Sequence, residues 1–455
     1  MGVLASFTLF AQTKPYGTGC KLDLERYKQV PLKPTLMRGD FMALPTQKSL
    51  RKYAPIARNQ GLYGNCVGWS TAYAARTIML AQKLGWTSSL IINENAFSPF
   101  FVYEKAKSNQ DVDCKEGTNL PVALEIMKEF GTLKLKEFHE VCGQPITQQH
   151  IERAKEYRIT DYQRLFEHNS PNKVQLVKKS LAEDKPVVVG IQCCTESFLY
   201  ANGKDTWKLQ STDNPSPDGG HAVTVVSYDD NKNGGSFEIM NSWGTKWGNE
   251  GFIWITYEDF NRYCFEAYEM TLEPEKEIKL ASEIKFSLLE GTEMKVTMKS
   301  KGYYEMQRPY PSGTMYKMTI KNEEPAYVYV LSTDLSYNIQ QLFPPNNKTS
   351  AYLGYRGSNI AIPDEDHYFM LDDQVGTDYL CILYSSDRLP IEEILIKFQN
   401  TQGNFSQRLS KALENYAIDL QDGQYFSHDK INFSIKNNSK KQIVVPIVVA
   451  IQHIK

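Results

Sequence analysis

Three segments, far apart in the chain, carry side chains whose types and surroundings fit nucleophilic acyl transfer. The first is Asn59-Gln60-Gly61-Leu62-Tyr63-Gly64-Asn65-Cys66-Val67-Gly68-Trp69-Ser70, a glycine-rich loop that delivers Cys66 to the start of an expected helix. Unpaired N–H groups and the helix dipole favour negative charge there, so the thiol pKa is expected to fall. Gln60 precedes Cys66 by six residues. Its amide can turn back toward the sulfur and, with the Cys66 N–H, donate to an oxyanion formed at an attacked carbonyl. The second segment is Asp218-Gly219-Gly220-His221-Ala222-Val223-Thr224-Val225-Val226, where two glycines open space beside an imidazole fixed on an apolar strand. The third runs from Ile239 to Gly251 and sets Asn241 at a strand end, with Trp243 two residues on. An amide oxygen accepting from the imidazole would orient His221, and the indole would shield that bond from water. Taken singly, a packing cysteine or a satisfied strand histidine explains each piece. Nucleophile, base and orienter together are the logic of acyl transfer.

These residues need rigid elements to hold them. Apolar spacing without proline predicts a helix over about 65–85, and two more at 95–107 and 119–130. From Pro186 the chain turns to short β runs at 186–191, 221–226, 236–240 and 251–257. Helices first and strands later indicate an α+β domain. Beyond the charged hinge Glu273-Pro274-Glu275-Lys276-Glu277 nearly everything alternates as strands, with one helix at about 403–415 and a last strand over Gln442–His453. The expected division is 1–12 a truncated signal segment, 13–43 an extended arm, 44–275 the α+β domain, 276–284 a linker, and 285–455 an all-β, sandwich-like domain. No cluster in the last domain has catalytic spacing. His367, Asp364 and Asp366 read as a solvated turn, and its alternating tyrosines read as packing more readily than as a recognition surface.

Composition narrows the function. The 455 residues carry 51 basic and 53 acidic side chains, a net charge of −2, which offers no field to recruit nucleic acid or an anionic membrane. The eight cysteines are irregularly spaced with no Cys-x-x-Cys, so neither a zinc ribbon nor a disulfide framework is indicated, and most are expected as buried thiols. Asp229-Asp230-Asn231-Lys232-Asn233-Gly234 imitates half an EF-hand loop, but Met240 stands where the bidentate Glu belongs and strands flank it, so it reads as a hairpin turn. The apolar stretch from Val3 to Gln12 has the length of a secretory h-region without its basic flank, and export is expected from it. No run is long enough to span a membrane.

The Gln60/Cys66 loop, the Gly-Gly-His-Ala-Val strand at His221 and the Asn-Ser-Trp-Gly at 241–244 with its following Trp-Gly resemble the papain family of cysteine peptidases. The resemblance covers roughly 40–275. It implies a two-lobed fold, helical on one side and β-barrel-like on the other. It implies Cys66 as nucleophile, His221 as base, Asn241 as orienter, Gln60 as oxyanion-hole donor and Trp243 as shield. Gly117, after Lys115-Glu116, resembles the glycine-bearing cleft wall, and Gly220 flanks the same cleft. There are departures: Tyr63 stands where the family has a loop-anchoring cysteine, so reducing agent is expected to leave the site folded, and Val67 replaces an aromatic residue. Residues 326–331, 342–344 and 376–381 resemble an all-β domain of unknown function attached to bacterial peptidases and caspase-like proteins. The implied protein is a secreted or periplasmic bacterial endopeptidase acting on peptides or proteins, without metal or organic cofactor, its C-terminal domain free to bind a protein or cell-surface ligand. Two alternatives share the residues: a non-proteolytic peptide-binding or adaptor protein whose cleft is blocked by the N-terminal arm or the C-terminal domain, and an acyl transferase or amidase.

Overall fold

A computed structural model describes residues 15–35, 37–41, 44–192, 194–213, 220–272, 278–334, 336–416, 425–437 and 443–455. The apolar leader, Cys193, Asp218-Gly219 and the charged hinge at 273–277 lie outside them. The chain divides into two compact units, one formed by 1–28 with 45–272 and the other by 29–44 with 273–455. Residues 29–44 thus pack within the second unit: the Leu32 N–H donates to the Lys348 carbonyl at 2.6 Å, and buried Lys33 sits over the Tyr355 ring.

The first unit joins helices to one sheet. A helical rod built from Cys66–Gly68, Trp69–Arg76 and Thr77–Lys83 runs through its centre, with π-type hydrogen bonding in the middle segment. Every residue from Cys66 to Ile78 is buried, because small side chains such as Gly68, Ala72, Ala74 and Ala75 let neighbours close on the rod from all sides. Gly68 touches the next helix, Pro99–Ala106, so closely that a Cβ would stand 2.2 Å from the Pro99 carbonyl oxygen. Leu120–Glu129 follows, capped by the Asn119 side chain with Pro121 in its first turn. All three expected helices are present.

Eight strands form the sheet: β1 Gln47–Ser49, β2 Asp161–Arg164, β3 Val187–Ile191, β4 Thr206–Trp207, β5 His221–Asp229, β6 Ser236–Met240, β7 Phe252–Thr256 and β8 Cys264–Thr271. Their order is β2-β8-β3-β5-β6-β7-β4, with β1 on β5. β3 and β5 pair antiparallel with Ile191 opposite His221, so the histidine sits at a strand end anchored by an uninterrupted apolar ladder. The EF-hand imitation is a turn in this sheet: Asp230 accepts from Lys178 at 2.7 Å and from the Tyr257 hydroxyl at 2.7 Å.

The second unit is a β-sandwich. Alternate residues of its two sheets, among them Ile284, Phe286, Met318, Val328, Val330, Leu380, Ile382 and Val449, meet in one core. Tyr327, Tyr329 and Leu331 face the other way and are buried as well, under two helices, Ile391–Asn400 and Phe405–Ala412. The sequence reading expected one helix here. The first was missed because its Glu392-Glu393 start resembles a loop, although Ile391, Ile394 and Phe398 form a helical stripe. Those tyrosines pack, as read. His367 pairs with Asp364 in an exposed turn.

The fold also makes a cluster that spacing did not reveal. Ser312 Oγ lies 2.9 Å from His453 Nε2, and His453 Nδ1 lies 3.1 Å from Asp378 Oδ2. This has the connectivity of a serine hydrolase relay. The nearby backbone donors are spent, however: the Ser312 N–H bonds to the Ile454 carbonyl and the Gly313 N–H to the Leu371 carbonyl, both at 2.9 Å. The array ties strand ends together.

Candidate active site

The nucleophile loop is pinned residue by residue. The Gly61 N–H donates to Asn59 Oδ1, the Gln60 N–H to the Ser242 carbonyl, and the Gly64 N–H to the Cys114 carbonyl at 2.7 Å. Cys66 thereby opens the rod, fully buried, with its sulfur accepting from the Ala222 N–H at 3.4 Å. The N–H groups of Val67, Cys20 and Cys66 itself also stabilise negative charge on the sulfur.

His221 and Asn241 are brought together as expected: Nε2 to Oδ1 is 2.7 Å. An amide oxygen accepts, so Nε2 carries the proton and Nδ1 is left with its lone pair, buried and unpartnered. The Trp243 ring stacks on the imidazole, with centroids 4.5 Å apart. Ala222, which follows His221 on β5, supplies the N–H that bonds the sulfur, so the strand bearing the base also touches the nucleophile.

Two expectations are corrected. The thiol pKa does not fall: burial pushes it up to about 12, more than the four N–H groups pull it down. Burial likewise lowers His221 to about 4, against the opposing bond to Asn241. In this state the pair is neutral. Nor does Gln60 offer its amide to an empty oxyanion hole. Its Nε2 donates to the Tyr63 carbonyl at 2.7 Å and the Gly17 carbonyl at 3.2 Å, while Oε1 accepts from the Ser242 hydroxyl at 2.5 Å.

The physical reason is the arm. Tyr16 to Lys21 lie in the cleft as an irregular segment with an isolated bridge between Cys20 and Thr118. Tyr16 stacks flat on Trp243, with centroids 4.8 Å apart. The Gly17 carbonyl accepts from both Gln60 and the Trp243 indole, the latter at 3.1 Å. The Gly19 carbonyl accepts from the Thr118 N–H, the Lys21 N–H donates to the Thr118 carbonyl, and the Cys20 N–H donates to the Gly220 carbonyl at 3.1 Å. Gly117 and Gly220, expected as cleft walls, do lie against a peptide segment, and it is the chain's own. A Cβ on either would stand 2.1 Å from an arm carbonyl oxygen, that of Gly19 or Cys20 respectively. The arm's Cys20 N–H, rather than a carbonyl carbon, faces the nucleophile. The sequence reading offered the N-terminal arm and the C-terminal domain as segments that could block the cleft, without choosing between them or naming the residues that dock. The arm's only local signal is the Gly17-Thr18-Gly19 spacing that permits so close an approach.

The cysteines need one further correction. Cys114 and Cys142 form a disulfide across 28 residues, which irregular spacing gave no means to read. Cys20, Cys66, Cys264 and Cys381 are buried and free, and Cys194 is buried. The Gly64 N–H donates to the Cys114 carbonyl, so the nucleophile loop, which lacks a disulfide at Tyr63, is tied by a hydrogen bond to a disulfide-held segment. Glu104 lies close to both sulfurs, but they are bonded to each other and Glu104 pairs with Lys107 at 2.9 Å, so no metal site arises there.

A family model described as papain family cysteine protease matches residues 44–272, and one described as a domain of unknown function (DUF4384) matches 309–388. The chain is similar to an uncharacterized peptidase C1-like protein of Acanthamoeba polyphaga mimivirus, 25% identical over 50% of this chain and 72% of that protein. It is also similar to mouse cathepsin J, 28% identical over 49% of this chain, and to mouse cathepsin K, 26% identical over 44%. It spans 63% and 55% of those two proteins. Among solved structures, xylellain, a cysteine protease from Xylella fastidiosa, matches 58% of this chain and 99% of its own at 22% identity and a TM-score of 0.47.

Proposed function

Because this chain belongs to the papain family of cysteine proteases, we propose that it hydrolyses peptide bonds through Cys66 once the arm has left the cleft. The observation that carries the reading is the pairing of His221 Nε2 with Asn241 at 2.7 Å, which reserves Nδ1 for the thiol proton. Cys66 Sγ attacks the substrate carbonyl as its proton passes to Nδ1. The oxyanion takes the Gln60 amide donor that the Gly17 carbonyl now occupies, together with the Cys66 N–H. His221 then protonates the leaving amine, and water, activated by the same nitrogen, releases the acyl group. Trp243 keeps water from the imidazole–amide bond. Gly117 and Gly220 leave room for substrate backbone where the arm runs now. No metal or organic cofactor enters this scheme. Export remains part of the proposal, resting on the apolar stretch from Val3 to Gln12.

A second reading is favoured by one observation: a peptide segment already fills the cleft uncut, as in a peptide-binding adaptor. Alkylation separates the two. The form Gly17→Val/Gly19→Val should expel the arm, since a Cβ on these residues would meet the Tyr63 and Gly64 carbonyl oxygens at 2.0 and 2.3 Å. Rapid iodoacetamide capture of Cys66 in that form, persisting below pH 7 and lost with His221→Ala, is expected, together with cleavage of a peptide library. A Cys66 no faster than a free thiol would leave the adaptor. Acyl transfer to an amine uses the same groups and would appear as transfer products when an amine is added.

A further inference from the structure

The chain leaves the first unit after Lys28, threads onto the second and returns to the first at Pro45. In Val30-Pro31-Leu32-Lys33-Pro34 each proline biases the residue before it toward extended backbone, so docking the thread costs little entropy. The stretch before the short strand Tyr352–Leu353 receives it in parallel register. The Leu32 N–H donates to the Lys348 carbonyl at 2.6 Å, and the Leu32 carbonyl accepts from the Ser350 N–H at 2.8 Å. Lys33 then turns inward, 1% exposed, with its ammonium 4.2 Å from the centre of the buried Tyr355 ring. Lysine is almost never buried unless its surroundings suit a cation, so this is a site built for one. Downstream, the Met37 N–H donates to the Asn359 carbonyl at 3.1 Å, the Asn359 N–H donates to Asp40 Oδ2 at 2.6 Å, and the Arg38 guanidinium bonds Asp366 at 2.6 Å. Yet among the described residues neither apolar cluster of the second unit includes one from this thread. The sandwich is complete without it, and the thread sits there as a ligand sits on a receptor.

We propose that this surface of the second unit is a peptide-binding site for an extended segment carrying lysine before proline. Residues 30–40 are its built-in occupant, exchangeable for such a segment of a partner protein. The backbone bonds at Leu32 supply affinity that tolerates sequence, and the Tyr355 pocket supplies selection, the division of labour of strand addition. A leucine in place of the lysine would forgo the cation–ring attraction, and an acidic side chain would set its charge against the ring face. The built-in thread competes from an effective concentration on the order of millimolar. An outside segment therefore enters when it binds more tightly or when the thread is loosened. A second copy's thread is held by its own second unit and gains nothing by exchange, which leaves a different protein as the outside ligand.

The test uses the full chain as Cys66→Ala, so that binding is read without cleavage, and a fluorescent synthetic peptide of residues 29–41. With the thread loosened by Lys33→Ala/Arg38→Ala, the protein should bind the peptide saturably, about tenfold or more tighter than the chain with its own thread intact. Lys33→Ala in the peptide should weaken binding to the loosened protein by about tenfold or more. Thermal melting identifies a loosened protein that fails to fold, and Leu32→Pro, which removes the N–H donated to Lys348, then takes its place. Glu365→Lys/Asp366→Lys, on the partly exposed rim that meets Arg38, should weaken capture by about threefold. Equal binding to the loosened and intact chains would put the peptide elsewhere and overturn the inference. A lysine-free peptide that binds as well, or no saturable binding at about millimolar peptide, would overturn it too. Dimers of the chain with its thread intact that vanish on Lys33→Ala would make a second copy the outside ligand and overturn the choice of a different protein.

Discussion

The molecule holds two three-residue arrays of the same residue logic, Cys66/His221/Asn241 in the first unit and Ser312/His453/Asp378 in the second. In both, a buried imidazole bonds an orienting oxygen; His453 also bonds the Ser312 hydroxyl, whereas His221 keeps Nδ1 unpartnered and the Cys66 sulfur is bonded by the N–H of the next residue, Ala222. The surroundings differ. Around Cys66, four N–H groups face the sulfur, a helix begins, and glycines on both walls admit a peptide backbone. Around Ser312, the N–H groups of Ser312 and Gly313 are consumed by strand-end carbonyls. A relay moves a proton, but acyl transfer also needs donors for the oxyanion and room for the chain that bears it. The difference teaches that donors and space, more than the relay, mark an active site.

The arm gives the largest expected effect. In the closed state burial holds the Cys66 thiol at about 12, leaving almost no thiolate at neutral pH, and the arm covers it. Gly17→Val/Gly19→Val should raise the iodoacetamide rate at pH 6 by about a hundredfold or more, since two pKa units lost by the thiol correspond to that factor. Equal rates for the two forms would mean that the arm does not guard the sulfur, and the first array would then be as inert as the second.

The pH response is next in size. His221 is depressed from 6.5 to about 4 with the arm in place, so the arm-in state loses stability as pH falls from about 6.5 to about 4, by up to about 3 kcal/mol. Glu266, to which the arm's Cys20 thiol donates at 3.6 Å, opposes it. Its carboxyl is raised to about 7, so the arm-in state gains stability as pH falls through 7 toward the ordinary carboxyl range. Glu266→Gln removes the opposing effect. The alkylation rate at pH 4.5 relative to pH 7, normalised to the arm-expelled form, should be about tenfold higher in Glu266→Gln than in the natural chain. No difference would place the control of opening elsewhere.

How much of this was legible follows from how local each signal is. Cys66, His221 and Asn241 each sit in a short segment whose glycines and strand pattern declare their setting, so the array could be assembled before any fold was known. Tyr16 to Lys21 carry no such declaration. An irregular segment gains its meaning from where it docks, and that depends on Gly117 and Gly220, about 100 and 200 residues away. Cys114 and Cys142, Glu266 above Gly190, and Ser312 with His453, 141 residues apart, are products of the same long-range packing. The neutral state of Cys66 was illegible for a further reason: a helix start predicts a lowered thiol only while water or a cation is present, and the arm excludes both.

The disulfide sharpens the comparison between units through stability. Cys114–Cys142 closes a 28-residue loop in the first unit, worth about 3–4 kcal/mol by loop-closure entropy. The second unit has its described Cys381 free. Calorimetry of Cys142→Ser should lower the melting of the first unit by about 10 °C and leave that of the second in place. A matched shift of both would show that they unfold as one cooperative body.

The smallest effect bears on the second array directly. If Ser312 serves only to join strand ends, Ser312→Ala removes one half-buried hydrogen bond and costs about 1 kcal/mol, read as a slight fall in the melting of the second unit. The natural chain, assayed as Cys66→Ala to silence the thiol, should then show no fluorophosphonate labelling above that of Ser312→Ala. Labelling that depends on Ser312 and disappears with His453→Ala would reverse this conclusion. It would mean that the bonds from the Ser312 and Gly313 N–H groups to the Ile454 and Leu371 carbonyls open readily enough to free both donors, and that strand-end pairing is a weaker guide to an idle relay than argued above.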